Sequence, residues 1–306
     1  MTDVQTAPSS PVITAAWWKK AIGAVVGVPL LVVFGAETYL CAWRGMVHPP
    51  EPTQLTLGAG VDYVREVQSG PSLVWHVVRI DLGIDGIAIE GPDADATLRL
   101  PLIATQPSKA LAPHEWVLAF SAGAFTPSAS EGQPVAPLGR ATTRGVTLPN
   151  GGGPETASTL QVRPGLPAVI DAKSSGGAFT EVSSECDLLR AGAVLADLAT
   201  CPDASANKAR LGIGLDKTGR TMWVAMADGR LAKSSVGVTA TQLAEKLKSV
   251  GADRAAQFTS GDMVTMSARF PGSQAPTVLG TPVSDGVPGR EPVVGYIVGV
   301  KAAPRL

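Results

Sequence analysis

The chain has 306 residues, 45% of them hydrophobic and only 17% charged, which is enough to bury a sizeable core and too apolar for a disordered chain. A formal net charge of −1 leaves no basic field for nucleic-acid phosphates, and there is no Lys/Arg run or RNA-binding aromatic signature, so no nucleic-acid partner is expected. The 34 glycines and 25 prolines favour turns and short strands over long helices, and a β-rich domain is the expectation.

Near the start, Ala21 to Ala36 reads AIGAVVGVPLLVVFGA, with Trp17, Trp18, Lys19 and Lys20 before it and Tyr39 and Trp43 beyond Glu37. Interfacial aromatic residues around an apolar run predict a single membrane span over residues 17–43. The uncharged run alone is shorter than the roughly 20 residues a crossing helix needs, so its aromatic flanks must complete the span. Lys19 and Lys20 then leave a cytoplasmic tail of residues 1–16 and put the remainder outside the cytoplasm. A cleaved secretion signal and a buried core helix are the competing readings, although no small-x-small cleavage site follows the run. Pro49, Pro50 and Pro52 give a stiff linker over residues 44–57, and the folded domain is expected to occupy residues 58–306.

Cys41 falls at the predicted membrane boundary, which leaves Cys186 and Cys201 as the pair in the outer domain. In an oxidising compartment their bridge would contribute about 3 kcal/mol; two buried thiols are the alternative. With no CxxC, and with His48, His76 and His114 scattered, neither a metal nor a cofactor is expected.

Gly60–Glu66 and Ser72–Leu82 read as successive strands. Period two sets Val74, His76, Val78 and Ile80 on one face and Trp75, Val77, Arg79 and Asp81 on the other, so His76 is expected in the core rather than in catalysis. Trp116 to Phe125, WVLAFSAGAF, reads as a strand running into a glycine turn. The PNGGGP run from Pro149 to Pro154 lacks the Lys-Ser/Thr pair and the receiving helix of a phosphate loop, and is read as a flexible hairpin tip. Leu188–Thr200 fits a short helix or a buried strand. In Ala209–Arg230, Leu211, Ile213 and Leu215 alternate, Asp216–Gly219 turns, and Met222–Met226 returns as a hairpin.

The best-marked element follows, from Gly237 to Met266. Thr239 is placed to N-cap a helix with Gln242 reaching back, Val238 and Leu243 form a staple, and Leu243, Leu247 and Val250 repeat at helical spacing. Gly251 ends the helix, and Ala255–Thr259 reads as a short buried strand. Val264, Met266, Ala268 and Phe270 alternate with polar residues in a further strand.

This helix and strand resemble the signature of the phosphodiester glycosidase family, where such a helix precedes Asn-Leu-Asp-Gly-Gly-Gly-Ser-x-Thr-Met. Here the run is Gln257, Phe258, Thr259, Ser260, Gly261, Asp262, Met263, Val264, Thr265 and Met266. The Trp116 stretch is similar to the family's Ala-Ile-Asn-Gly-Gly-Phe-Phe, with Ser121 and Ala122 in place of Asn and the first Gly, and with Gly123 and Phe125 kept. Arg210 stands where the family's Pro-Arg-Thr-Ala-Ile-Gly strand has its arginine, and a family Ala-Gly-Pro-x-Leu strand tips Ala191–Leu195 toward strand. Pro282–Val300 resembles the family's Pro-Ser-Asp-Gly and Glu-Arg-Pro-Val ending, with Ser284, Asp285, Gly286, Pro292 and Val293 kept and Arg290 and Glu291 in reversed order.

The resemblance implies an α+β domain of mixed and antiparallel strands with few helices, acting on a sugar-1-phosphodiester without a cofactor. Such chemistry needs carboxylates and cationic donors converging on an oxocarbenium-like transition state. Thr259 occupies the place of the signature aspartate. The implied catalytic candidates are Asp285, Asp262 and Arg210, with Arg210 clamping the phosphodiester; Ser121, Gly123, Thr259, Ser260, Gly261 and Ser284 are the implied substrate contacts. A surface arginine and a solvated turn aspartate are the bland readings of Arg210 and Asp262. Two functions of different class remain. One is a membrane-anchored extracytoplasmic hydrolase acting on a glycosyl phosphate or related envelope glycan, and the other is a catalytically inactive relative that binds glycan or a protein partner.

Overall fold

The computed structural model describes residue 39 and residues 50–153, 158–173, 176–273 and 275–302. The chain divides into two units, Met1–Trp43 and Arg44–Leu306. In the first unit only Tyr39 is described, as a helical residue, so the expected tail, membrane span and Cys41 lie outside the described residues. Among the described residues no helix is long and apolar enough to cross a membrane.

The second unit is β-rich. Its largest sheet has eight strands in the spatial order Thr53–Gly58, Val61–Ser69, Ser72–Asp81, Thr221–Ala227, Arg210–Leu215, Arg254–Ser260, Cys186–Arg190 and Ala193–Val194. Every ladder pairing among the described strands is antiparallel, with no parallel strand pair of the mixed kind expected. Within the expected linker, Thr53–Thr56 pairs with Asp62–Arg65 as an edge strand of this sheet.

Both faces of this sheet are covered, and the two-residue period decides what covers each. Val78, Ile80, Leu211, Ile213 and Val224 point into the main core, whereas Leu73, Trp75, Val77 and Ala225 belong to a second core beneath the helix Ala240–Ser249. The helix is capped at its start as the sequence predicts: Gln242 N donates to Thr239 Oγ1 at 3.2 Å and Thr239 N to Gln242 Oε1 at 2.9 Å. It buries Leu243, Ala244 and Leu247. Each leucine contributes about 1.5–3 kcal/mol by leaving water. Gly212 lets the helix approach, since a Cβ there would lie 2.9 Å from Leu247 Cδ1 and 3.1 Å from Leu243 Cδ2. Beyond the helix, Gly251 takes φ +103°, the left-handed stop expected for it.

Across the main core lie two five-stranded sheets. One runs Thr277–Val278, Met266–Ala268, Leu118–Ser121, Ile297–Lys301 and Ala88–Glu90, and supplies Leu118, Phe120, Val298 and Val300 to the core. The other runs Val146–Thr147, Ala141–Thr143, Thr180–Ser183, Thr159–Val162 and Val169–Asp171, and supplies Leu160 and Val182.

The ambiguous Leu188 segment resolves as a hairpin. Ala191 and Gly192 have φ of 50° and 71°, a two-residue turn of the primed type that matches strand twist. The expected strand Ala191–Leu195 is therefore corrected: the turn interrupts it, and pairing resumes with Arg190 opposite Ala193. Cys186 and Cys201 are bridged, with Cα atoms 5.0 Å apart.

Candidate functional site

The signature strand Arg254–Ser260 ends beside the Leu118–Ser121 strand, and backbone and side-chain polar atoms lock the two together. Thr259 Oγ1 donates to Ser121 O at 3.1 Å, and Gly123 N to Phe258 O at 3.0 Å. Thr265 N donates to Ser121 Oγ at 3.2 Å, while Ser121 N donates to Thr265 O at 3.1 Å. Ser121 and Thr259 are buried, so the polar atoms read as substrate contacts instead join one layer of the fold to the next. Gly123 likewise faces Val182 rather than a cavity.

Arg210 is not a phosphate clamp. Its side chain is 0% exposed and its five N–H groups all have acceptors within the protein. Nε reaches Val238 O at 2.8 Å, one terminal nitrogen reaches Gln257 Oε1 at 2.8 Å and Pro202 O at 3.2 Å, and the other reaches Asp203 O at 2.5 Å and Ala206 O at 3.2 Å. A guanidinium fork meets a row of loop carbonyls as readily as it meets an oxyanion. Burial lowers its pKa, and the Glu185 and Asp203 carboxylates act against that shift. With the Cys186–Cys201 bridge, this arginine pins the segment between strand and helix.

The open chemistry lies at the other end of the signature. Strand Arg254–Ser260 passes into a short turn, Gly261–Met263, that packs on the Val283–Ser284 strand. Asp262 in this turn is half-exposed and pairs with Arg230, while Met263 faces a cleft of about 650 Å³. Ser284, Asp285, Arg290 and Glu291 line the same cleft, facing Gln106 and the Ser128–Gln133 segment. Asp285 has φ +50°, heads a tight turn with Gly286, and keeps 71% of its side chain in solvent with Arg290 at 3.1 Å. Turn geometry therefore holds this carboxylate outward.

Glu291 behaves in the opposite way. It is buried, and it accepts from Ser108 N at 3.0 Å, Ser267 Oγ at 2.7 Å, Thr265 Oγ1 at 3.5 Å and the Ser108 hydroxyl. Its backbone carbonyl accepts from Gln106 Nε2 at 3.0 Å. Through Thr265 and Ser121 the same network runs back to Thr259, so the altered signature and the cleft are parts of one polar layer.

Residues 114–298 match the phosphodiester glycosidase family. The chain belongs to that family. In fold it is similar to the catalytic domain of zebrafish N-acetylglucosamine-1-phosphodiester α-N-acetylglucosaminidase in a form auto-inhibited by its pro-peptide, with TM-score 0.58 and 14% identity over 83% of this chain and 88% of that one. It is also similar to a hypothetical protein from Synechocystis, with TM-score 0.55 and 12% identity over 82% of this chain and 64% of that one. No curated protein matches it in sequence.

Within this phosphodiester glycosidase fold, His76 sits in the core as its strand face requires, with 0% exposure. Its Nδ1 lies 2.8 Å from the Tyr63 hydroxyl, whose pKa burial pushes up to about 12. Its Nε2 lies 3.5 Å from Asp228, an electrostatic contact rather than a hydrogen bond. Asp228 in turn accepts from Thr281 N at 3.0 Å and so anchors the segment leading to Ser284 and Asp285. Sequence reasoning did not find Asp228, Glu291 or Arg290. The last two carried one signal, the reversed pair before Pro292; Asp228 carried only its place after an apolar strand.

Proposed function

We propose that this phosphodiester glycosidase family member is a membrane-anchored, extracytoplasmic hydrolase that takes a glycosyl phosphodiester or related envelope glycan in the Asp285 cleft. The observation that carries the reading is that Asp285, Arg290 and Glu291 line one cleft beside the signature turn. A solvent-facing carboxylate there meets the anomeric centre as base or nucleophile, and Arg290 meets the phosphate charge. Glu291 positions: it ties Gln106 and Ser108 of the opposite wall to the strand end that carries Thr265 and Ser267. Export and anchoring are supported by the aromatic-flanked apolar run at residues 17–43 and by the Cys186–Cys201 bridge, since such bridges persist in oxidising compartments.

The second reading, a non-catalytic glycan binder, is favoured by Thr259, which puts a buried hydroxyl where the family signature has its aspartate. The two are separated with the full chain in detergent, incubated with N-acetylglucosamine-1-phosphodiesters and a broader panel of glycosyl phosphates. Release of free sugar supports the hydrolase; saturable binding with no product over the panel leaves the binder. A C-terminal alkaline phosphatase fusion is expected to be active outside the cytoplasm, and an inactive fusion would overturn the topology.

A further inference from the structure

The PNGGGP run is not accounted for by the cleft, and its described part is not a free hairpin tip. Asn150 organises it: Oδ1 accepts from Gly139 N, Gly152 N and Gly153 N at 2.9, 2.9 and 3.0 Å, and Nδ2 donates to Gly153 O at 2.9 Å. Gly151 N donates to Pro137 O at 2.7 Å. The glycine amides that a phosphate loop would aim at an anion are therefore already engaged. Instead the turn forms one wall of a hollow of about 400 Å³ whose other walls include Arg99, Thr126, Pro127 and Ala136.

Three features give this hollow a chemistry. Arg99 is exposed and makes no hydrogen bond or ion pair among the described residues, and it is the one ionisable side chain lining the hollow. The nearest acidic residue in its own turn, Asp95, is occupied by Thr97, accepting from Thr97 N at 3.0 Å and from its hydroxyl at 2.6 Å. Lastly, the hollow adjoins the Asp285 cleft along the chain: Thr126 and Pro127 line one, and Ser128, Ala129 and Ser130 line the other. At the cleft the cations are already engaged, Lys109 with Glu131 at 2.6 Å and Arg290 with Asp285 at 3.1 Å, and Glu291 adds a further carboxylate, so a second negative charge on a ligand is better received at Arg99.

We infer that the Arg99 hollow is an anion subsite that receives a phosphate lying beyond the scissile linkage, so that the preferred substrate is a chain of glycosyl phosphates rather than an isolated one. This rests on reading the Asp285 cleft as the glycosyl phosphodiester site.

The test titrates full-length protein at low salt with inorganic phosphate, monomeric N-acetylglucosamine 1-phosphate and a glycosyl phosphate oligomer. The wild type is expected to bind the oligomer at least about tenfold more tightly than the monomer, the scale of one charge-assisted hydrogen bond. Arg99→Ala should erase that preference and remove the share of inorganic phosphate binding that persists in Arg290→Ala, while leaving monomer affinity unchanged, and Arg99→Lys should restore part of both. Equal oligomer affinity in wild type and Arg99→Ala overturns the subsite, as does loss of phosphate binding with the oligomer preference intact. If monomer affinity is indifferent to Asp285→Asn and Arg290→Ala, the cleft reading fails instead, and the inorganic phosphate arm still reports on Arg99.

Discussion

The two ends of the signature segment use the same kinds of residue for opposite purposes. At the strand end, Arg210, Thr259 and Ser121 are buried and their polar side-chain atoms close on protein partners. At the cleft rim, Asp285 and Arg290 are exposed and held outward by a turn. An arginine matched to a family motif is thus a brace in one place, and a less conspicuous one stands open to solvent in the other. Motif position gives the fold; accessibility of donors and acceptors decides which residues meet a ligand.

The comparison breaks most readily at Arg210. Arg210→Met removes five hydrogen bonds and takes the guanidinium donor from the buried Gln257 Oε1, an expected loss of about 3–5 kcal/mol in denaturant unfolding. A loss under about 1 kcal/mol would return the arginine to the list of ligand residues. Replacing both Cys186 and Cys201 by Ser, which frees the same segment, should cost about 3 kcal/mol against oxidised wild type, and reduced wild type, the control, should lose a similar amount. Gly212→Ala, which tightens the contact under the helix, should cost about 1–3 kcal/mol with little change in binding. At the rim, Asp285→Ala and Arg290→Ala should each move stability by less than about 0.5 kcal/mol, because an exposed ion pair contributes little.

The smallest expected effect is a pH dependence. Burial, the largest influence, lowers the His114 pKa below its ordinary value, against the pull of Asp93. The unfolded chain then takes up a proton before the folded chain does, so stability is full above about pH 6.5 and declines as pH falls through that value. Urea midpoints at pH 7.5 and 5.5 should differ less in His114→Gln than in wild type. An unchanged difference would assign the decline to other groups.

Much of the scaffold was legible in the sequence because local signals agreed. The Thr239 cap, the Leu243 and Leu247 spacing and Gly251 fix the helix, and the Leu211–Ile213–Leu215 alternation fixes its partner hairpin. Where the signals were weak, the outcome depended on contacts distant in sequence. Ala191 gave no hint that it would take positive φ, and Thr53–Gly58 became a strand only by pairing with its neighbour. The site was less legible for the same reason. Arg210 is engaged by carbonyls from Pro202, Asp203, Ala206 and Val238, which no motif encodes, and Glu291 finds its donors in Ser108, 183 residues away. Asp285 alone among the catalytic candidates both lines the cleft and faces solvent, since its Ser-Asp-Gly turn is a local structure with a local signature.

The most direct test of the contrast between brace and rim is turnover of N-acetylglucosamine-1-phosphodiester by full-length wild type and Asp285→Asn, measured beside their unfolding midpoints. The account predicts a fall in kcat of about 100-fold or more, the range for losing a general acid or base, with midpoints unchanged. Equal turnover in the two proteins, or a loss that merely follows a lowered midpoint, would contradict it.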